Sequence, residues 1–474
     1  MNDISTLQAM QTYFDEYAGE ILRWRSESYQ TLLRNNYRFY IPPGARILEI
    51  GSGTGDLLAS LRPAHGVGVD ISPRMVELAR QRHPQPELTF VAQAAEALTL
   101  DEPPFDYIVI SDTFSFVEDI HGVLRQLIPL CHARTRIITN FYSRLWQPII
   151  KLLELMRLRK PQPVTNWVTR EDLRNLLELA GYQVILTDSR ILLPCRVPLF
   201  NGLFNRFLAP LPVIRHFCLS NWIVAGVPEA LPAETSVSVI CACRNEAGNI
   251  PEIVRRFPRF NGPAELIFVE GHSRDDTLAI CQQEAMAHPE REIRVLQQTG
   301  KGKGDAVRLG FSVAKYDILM ILDADMTVPP EDLPSFVSVL LSGRVEFVNG
   351  SRLVYPMDPA AMRFLNLLGN KFFALAFSWL LGQTIKDTLC GTKVLLKSDY
   401  NRIAAEREYF GDFDPFGDFD LIFGAARLGL KLRDFPVKYR ARVYGTTQIS
   451  RFRHGLLLLQ MYVFALFKFK WRGL

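Results

Sequence analysis

The hydrophobic positions of this chain fall in short runs of strand length, each closed by a turn rich in glycine or acidic residues. The sharpest run is 318–322, Ile-Leu-Met-Ile-Leu, whose unbroken apolar character predicts a strand buried within a parallel sheet. It delivers Asp323 and Asp325 at its carboxyl end, where open α/β sheets keep their ligands. Pro329, Pro330 and Glu331 then predict the first turn of a helix. Similar units precede it: strands begin at Val237 and Glu265, a helix follows Asn249, and Gly300, Gly302 and Gly304 open another. A further strand, 347–352, ends in Arg352.

The first half repeats the pattern with different chemistry. Tyr17, Ile21, Trp24 and Tyr29 recur at helical spacing and predict helix over 13–40. Pro42, Pro43 and Gly44 punctuate, and a strand ending in Glu49 and Ile50 runs into Gly51, Gly53 and Gly55. A second short strand, 66–69, ends in Asp70. Residues 105–112 are a further largely apolar run closed by Ser111 and Asp112, and Thr169 with Asp172 forms a capping box opening a helix that closes near Gly181. Residues 191–224 are apolar but interrupted by Pro194, Pro198, Pro210 and Pro212, which excludes one continuous helix.

Composition narrows the class. A length of 474 residues suggests two or three domains of roughly 150 residues each. With 48% apolar and 22% charged residues, wholesale disorder is excluded. A net charge of +4 does not imply nucleic acid, and no basic stripe runs through either motif cluster. After Asp434 no acidic residue follows, while Lys and Arg recur. Seven scattered cysteines without a Cys-x-x-Cys pair argue against a disulfide framework or zinc site, so a reducing compartment is expected. No secretory leader and no clean run of 18 apolar residues is found. The expectation is a cytoplasmic chain, peripheral on the inner face of the membrane. The proline-containing polar stretch 229–236 reads as a linker, dividing the chain into 1–228, 237–450 and a basic, apolar tail 451–474.

In the first half, the spacing Gly-x-Gly-x-Gly with Glu49 two positions before it resembles the class I S-adenosylmethionine (SAM)-dependent methyltransferases over residues 40–190. A nicotinamide site competes with this reading, but its fingerprint is Gly-x-Gly-x-x-Gly. The resemblance implies that Glu49, Gly51, Gly53 and Gly55 line the methionine side of SAM and that Asp70 holds the ribose. Glu96, in the stretch from Gln93, would lie near the adenine, although many members carry an acidic residue where this chain has Gln93 and Ala94. Asp112 is assigned to the same site, toward the substrate, where His121, Phe114, Phe116 and Tyr142 are further candidates and no base is assigned. Residues 191–224 would form a flap over the methyl acceptor or a lipid-facing cover. A non-catalytic SAM-binding or scaffolding module is the alternative.

The second half matches four motifs in order: Asn245 with Glu246; Glu270, Ser273, Asp275 and Thr277; Gly302 to Ala306; and Asp323 with Asp325. They resemble the family 2 glycosyltransferases of GT-A fold, within them the polyprenyl-phosphate, dolichyl-phosphate mannosyltransferase-like branch. Two departures are Ala242 for a proline and Thr327 for a metal-binding glutamine. The resemblance implies a UDP- or GDP-linked sugar donor bound by Asn245, Glu246, Glu270, Ser273, Asp275, Lys303, Gly304 and Asp323. Asp323 and Asp325 would bind Mg²⁺ or Mn²⁺. Arg352, Arg363, Asp387 and Arg442, with Lys371 in reserve, would meet a lipid-phosphate or glycolipid acceptor. Asp418 and Asp420 are either general bases for a hydroxyl acceptor or caps of the next helix. Residues 372–381 and the tail read as helices lying in a membrane interface. The fold class expected is α/β, two Rossmann-like domains in tandem, with amphipathic helices near the C-terminus.

Overall fold

The computed structural model describes residues 6–471 except 25, 164–165, 196, 198–201, 356–363, 408–416, 418, 439–443 and 445–450. Its contacts divide the chain into two compact units, Met1–Pro228 with Lys470–Leu474, and Glu229–Phe469.

In the first unit, seven apolar segments form one sheet. They are β1 (Arg46–Ile50), β2 (His65–Asp70), β3 (Leu88–Ala92), β4 (Phe105–Ser111), β5 (Cys131–Tyr142), β6 (Gln183–Arg190) and β7 (Ser220–Gly226). The spatial order is β3-β2-β1-β4-β5-β7-β6. Strands β1 to β5 pair in parallel, and β7 enters antiparallel between β5 and β6. The order reverses between β1 and β4, which leaves a crevice at their carboxyl ends. Leu48, Ile50, Val67, Val69, Ile108 and Ile110 carry the sheet's share of the core and are almost wholly buried.

Of three local outcomes, one matches the sequence pattern and two add to it. The helix expected over 13–40 is three, Thr6–Ala18, Ile21–Trp24 and Glu27–Tyr40, because the chain turns at Gly19 and restarts at Ser26, whose side chain accepts the Tyr29 N–H. The capping box at Thr169 and Asp172 does open the helix Arg170–Leu179. The last residues of the proline-broken stretch 191–224 enter β7, where every position is buried, and among the described residues the short helical turns Gly202–Leu208 and Ile214–Phe217 precede it.

The second unit repeats the plan with β8 (Val237–Cys243), β9 (Ala264–Glu270), β10 (Glu292–Gln297), β11 (Ile318–Asp323), β12 (Phe347–Ser351), β13 (Lys393–Leu396) and β14 (Leu432–Pro436). The order is β10-β9-β8-β11-β13-β12-β14, reversing between β8 and β11. The run 318–322 is fully buried, as its composition requires, and pairs in parallel with β8 from Ile318 opposite Val237 to Asp323 opposite Ala242. Strand β13 runs antiparallel to both β11 and β12. The stretch 229–236 packs onto this unit: the Leu231 N–H donates to the Leu341 carbonyl at 2.9 Å. A side chain on Gly343 (φ +68°) would strike the Glu229 backbone.

The tail forms the helix Arg451–Phe469. Leu458, Met461, Ala465 and Phe469 make a buried stripe, with the Tyr462 ring 5.6 Å from Phe377 and the Phe469 ring 5.9 Å from Phe423. Leu456, Leu459, Val463 and Phe467 form the exposed stripe. Among the described residues no helix is long and apolar enough to cross a membrane.

Candidate active sites

A cavity of about 240 Å³ opens at the carboxyl ends of β1, β2 and β4, lined by Glu49, Gly51, Gly53, Asp70, Glu96 and Asp112 among others. Gly51 (φ +75°) is bound to be glycine, since a Cβ there would strike the Thr113 side chain. Gly53 (φ +51°) faces open space, and its N–H donates to Asp70 Oδ2 at 2.8 Å. Asp70 Oδ1 accepts the Ser72 N–H at 3.0 Å, so this carboxylate ties the glycine turn to the next helix. Burial pushes the Asp70 carboxyl up, against those two N–H groups. Glu49 accepts the Leu58 N–H at 3.1 Å. Gly55 is not on the lining; a side chain there would meet the Phe90 ring, so its absence serves packing. Met10, Phe14 and Tyr17 of the N-terminal helix close the cavity. The buried hydroxyl of Ser52 on the lining has no partner, a donor that a bound ligand would satisfy. Polar groups at a glycine turn beside an apolar lid fit SAM.

Asp112 is the most unusual group of this site. It follows β4 with φ +55°, a conformation that a non-glycine residue adopts at a cost and that recurs at functional sites. Its Oδ2 accepts the Tyr29 hydroxyl at 2.9 Å and its Oδ1 the Asn140 amide at 2.6 Å. The Asn140 carbonyl in turn accepts Tyr37 Oη–H at 2.7 Å and Ser111 Oγ–H at 2.9 Å. Burial pushes the Asp112 carboxyl up to about 7, with Tyr29 and Asn140 pulling the other way. Of the other substrate-side candidates, Phe116 lines the cavity, Tyr142 lies 6.0 Å from the Tyr29 ring, and Phe114 is wholly core. His121 sits half-buried on the helix Ile120–Gln126, off the lining.

In the second unit, Asn245, His272 and Met326 all have φ near +55° and follow β8, β9 and β11 by two or three residues. Hydrogen bonds lace the first two loops together. Ser273 Oγ accepts the Asn245 N–H at 3.0 Å, Asn245 Oδ1 the Arg274 N–H at 2.8 Å, and Asp275 Oδ1 the Thr277 N–H at 3.2 Å. Ser273 and Asp275 therefore shape this edge. Glu246, almost buried, accepts the Asn249 amide at 2.6 Å. Burial would push the Glu270 carboxyl up, but hydrogen bonds from Ser273 and Gln297 outweigh it and hold it below the usual range.

At the end of β11, Lys303 Nζ lies 2.6 Å from Asp323 Oδ1. Lys303 opens the helix Lys303–Val313, and Gly304, one position on, faces Gly417, which passes so close that a side chain there would strike Gly304 Cα. Gly391 is equally confined, since a Cβ would collide with both Asp323 and Lys303. Burial would push the Asp323 carboxyl up; the Lys303 ammonium overrides it and keeps the group below its ordinary range. Asp325 Oδ1 accepts the Thr327 hydroxyl at 2.7 Å and the Thr327 N–H at 3.1 Å. Thr327 thus orients the carboxylate at the position where a glutamine ligand would stand. Among the described residues no three His, Cys, Asp or Glu side chains converge. Two hard carboxylates fit a cation that completes its shell from diphosphate oxygens and water, as Mg²⁺ and Mn²⁺ do.

Comparison with known proteins separates the two halves. Residues 238–403 match the model described as glycosyl transferase family 2, and residues 21–187 match a methyltransferase domain. The chain carries a methyltransferase domain followed by a family 2 glycosyltransferase domain. Both are transferase families. The glycosyltransferase domain is 28% identical over 237 residues to glycosyltransferase AglJ of Haloferax volcanii, covering 49% of this chain and 73% of that one. It is 28% identical over 224 residues to the dolichyl-phosphate hexose transferase of the same organism, covering 46% and 89%. An undecaprenyl-phosphate 4-deoxy-4-formamido-L-arabinose transferase of Pseudomonas savastanoi pv. phaseolicola is 32% identical over 111 residues, 23% of this chain and 33% of that relative, so the match spans about a third of its length.

Several of the residues expected to meet the acceptor are held by partners within the fold. Arg352 and Asp387, both expected at an acceptor phosphate, pair with each other: Nε to Oδ2 at 2.6 Å and Nη2 to Oδ1 at 2.8 Å. Burial would push the Asp387 carboxyl up, and the guanidinium outweighs it and holds the group low. Asp420 opens the helix Phe419–Arg427, and its Oδ2 accepts Arg407 Nε at 2.8 Å. Lys371 is exposed on the helix Phe364–Leu381. Arg363, Asp418 and Arg442 lie outside the described residues. Gln298, which belongs to no motif and escaped the sequence reading, follows β10 and is almost buried with its side-chain oxygen unpartnered. Tyr444, of the Arg-x-Tyr-Gly stretch that holds Arg442, lies so close to Gly248 that a side chain there would strike its ring.

Proposed function

We propose that the chain is a bifunctional transferase that moves a sugar from a UDP- or GDP-linked donor to a polyprenyl phosphate, with inversion, and carries a SAM-dependent methyl transfer in its first unit. The observation that carries the first activity is the pairing of Lys303 with Asp323 at the end of β11, two positions before Asp325 and at the reversal of strand order. Asp323 and Asp325 would hold Mg²⁺ or Mn²⁺, whose Lewis acidity would neutralise the departing diphosphate. Glu246 and Glu270 would hold the base and ribose, and Lys303 the diphosphate charge. A phosphate acceptor already bears a nucleophilic oxygen anion and needs no base. Asp420, engaged by Arg407, suits that reading better than proton abstraction from a hydroxyl. Two relatives are named for transfer on dolichyl and undecaprenyl phosphates. The acceptor would place the chain at the inner face of the membrane.

For the methyl transfer, bound SAM would supply the electrophilic methyl group. Asp112 would take the proton of an acceptor hydroxyl or amine as the new bond forms, and Tyr29 and Asn140 would hold its carboxylate in place. The test is a double-label assay with membranes: sugar label from the nucleotide sugar and methyl label from SAM should both enter the organic phase. Sugar label confined to water-soluble glycans would sink the lipid-phosphate reading. Absence of SAM binding at millimolar concentration would reduce the first unit to a scaffold.

A further inference from the structure

The methyltransferase unit carries an apolar surface that neither transfer site uses. The helix Gln147–Leu155 buries only Ile150. Leu145, Ile149, Leu152 and Met156 follow one another at helical spacing as an exposed stripe, and Leu155 beside them is 82% exposed. Scattered exposed leucines mean nothing, but a continuous stripe of this kind marks an interaction surface. It continues onto the turn Ile214–Phe217, because Trp146 Nε1–H donates to the Phe217 carbonyl at 2.8 Å and Phe217 is 60% exposed.

Charge selects the partner. Residues 144–160 contain five Arg or Lys and one acidic residue, Glu154. Arg144, Lys151 and Arg157 are exposed around the stripe. An apolar stripe ringed by cations matches an anionic bilayer, where the aliphatic side chains enter the headgroup boundary and the cations meet lipid phosphates. The end of the segment reaches the cavity wall. Lys160 Nζ stands 5.6 Å from the ring centroid of Tyr17, which lines the cavity, and 3.0 Å from Glu20. The Arg159 guanidinium lies 5.1 Å from the Tyr142 ring.

We infer that this stripe docks the methyltransferase unit onto an anionic lipid surface and presents its cavity to a lipid-borne methyl acceptor. The second half of that statement rests on the SAM reading; the docking does not. The test uses the full chain in flotation with neutral phosphatidylcholine vesicles and with vesicles containing phosphatidylglycerol. Binding should be about ten-fold stronger to the anionic vesicles. Leu152→Glu with Leu155→Glu should reduce it by about ten-fold while SAM affinity stays unchanged, whereas Leu459→Glu in the tail should leave a large part of it. Leu155→Trp, at an exposed position, gives a second reading that needs no destabilising change: its fluorescence should be quenched by brominated lipids. Undiminished flotation of the double variant, or an unquenched Trp, would overturn the inference. Self-association through the stripe without vesicle binding would do the same. If SAM fails to bind but the vesicle results hold, the docking stands and the methyl-transfer reading falls.

Discussion

Lys303 Nζ and Asp323 Oδ1 lie 2.6 Å apart where β11 ends, so the motif lysine and the first motif aspartate meet across 20 positions of sequence. The ammonium neutralises a carboxylate that would otherwise be free to pull a cation closer. Removing it should move two affinities in opposite directions. Lys303→Ala should tighten Mn²⁺ binding several-fold and weaken nucleoside-diphosphate binding several-fold, since a positive charge leaves a partly buried site. Titration calorimetry with each ligand alone checks this, and parallel changes would show that Lys303 acts only on the fold.

The Arg352–Asp387 pair predicts a structural cost. Asp387 is 0% exposed and Arg352 is 13% exposed at the side chain. Deleting the guanidinium leaves a buried carboxylate uncompensated, a loss of about 3–5 kcal/mol. Arg352→Ala should therefore lower the unfolding midpoint of the second unit in urea, with Arg352→Lys intermediate because it keeps charge but not the fork. Since the Asp387 carboxyl is held low in the fold, the pair's contribution is present above the unfolded carboxylate range near pH ~4 and is lost as pH falls below it.

Asp112 predicts a pH profile for methyl transfer. With its carboxyl pushed up to about 7, the rate should fall on the acid side with a midpoint near that value. Asp112→Asn should remove that limb and lower the rate by about 10²–10⁴. Stability follows the raised value: the buried group favours the fold below the unfolded range, and that contribution is lost as pH rises through about 7. The Asn variant should accordingly melt higher than the parent at pH 8.

Two glycines of the turn after β1, Gly51 and Gly53, should separate packing from the proposed SAM binding. Gly51→Ala collides with Thr113 and should destabilise the first unit severely. Gly53→Ala meets nothing within 4 Å and should cost only about 1 kcal/mol of left-handed strain while weakening SAM. Thermal melts with and without SAM resolve the difference.

What the sequence made legible was whatever is local. The run 318–322 announced a buried strand because composition, length and the acidic residues that follow it agree, and the capping box at Thr169 lies within four consecutive residues. Partners far apart were hidden. Tyr29 and Asp112 are separated by 83 positions, and nothing in either neighbourhood specifies the other. Arg352 looked available for a phosphate because its strand-end position was visible and Asp387, 35 positions on, was not recognisable as its partner. Strand β7 was masked by the prolines before it, which drew attention to a loop and away from the buried run that follows.

The central claim is most directly tested by nucleoside-diphosphate release from UDP- and GDP-sugars with Mg²⁺ or Mn²⁺, with and without polyprenyl phosphate. The account predicts release that requires the lipid phosphate, stops on chelation, and falls by about 10²–10³ in Asp325→Ala, the several kcal/mol that a metal at a leaving diphosphate supplies. Full turnover by Asp325→Ala would contradict the metal site. Release with a glycan alcohol but with no lipid phosphate would contradict the acceptor and move the chemistry to Asp420.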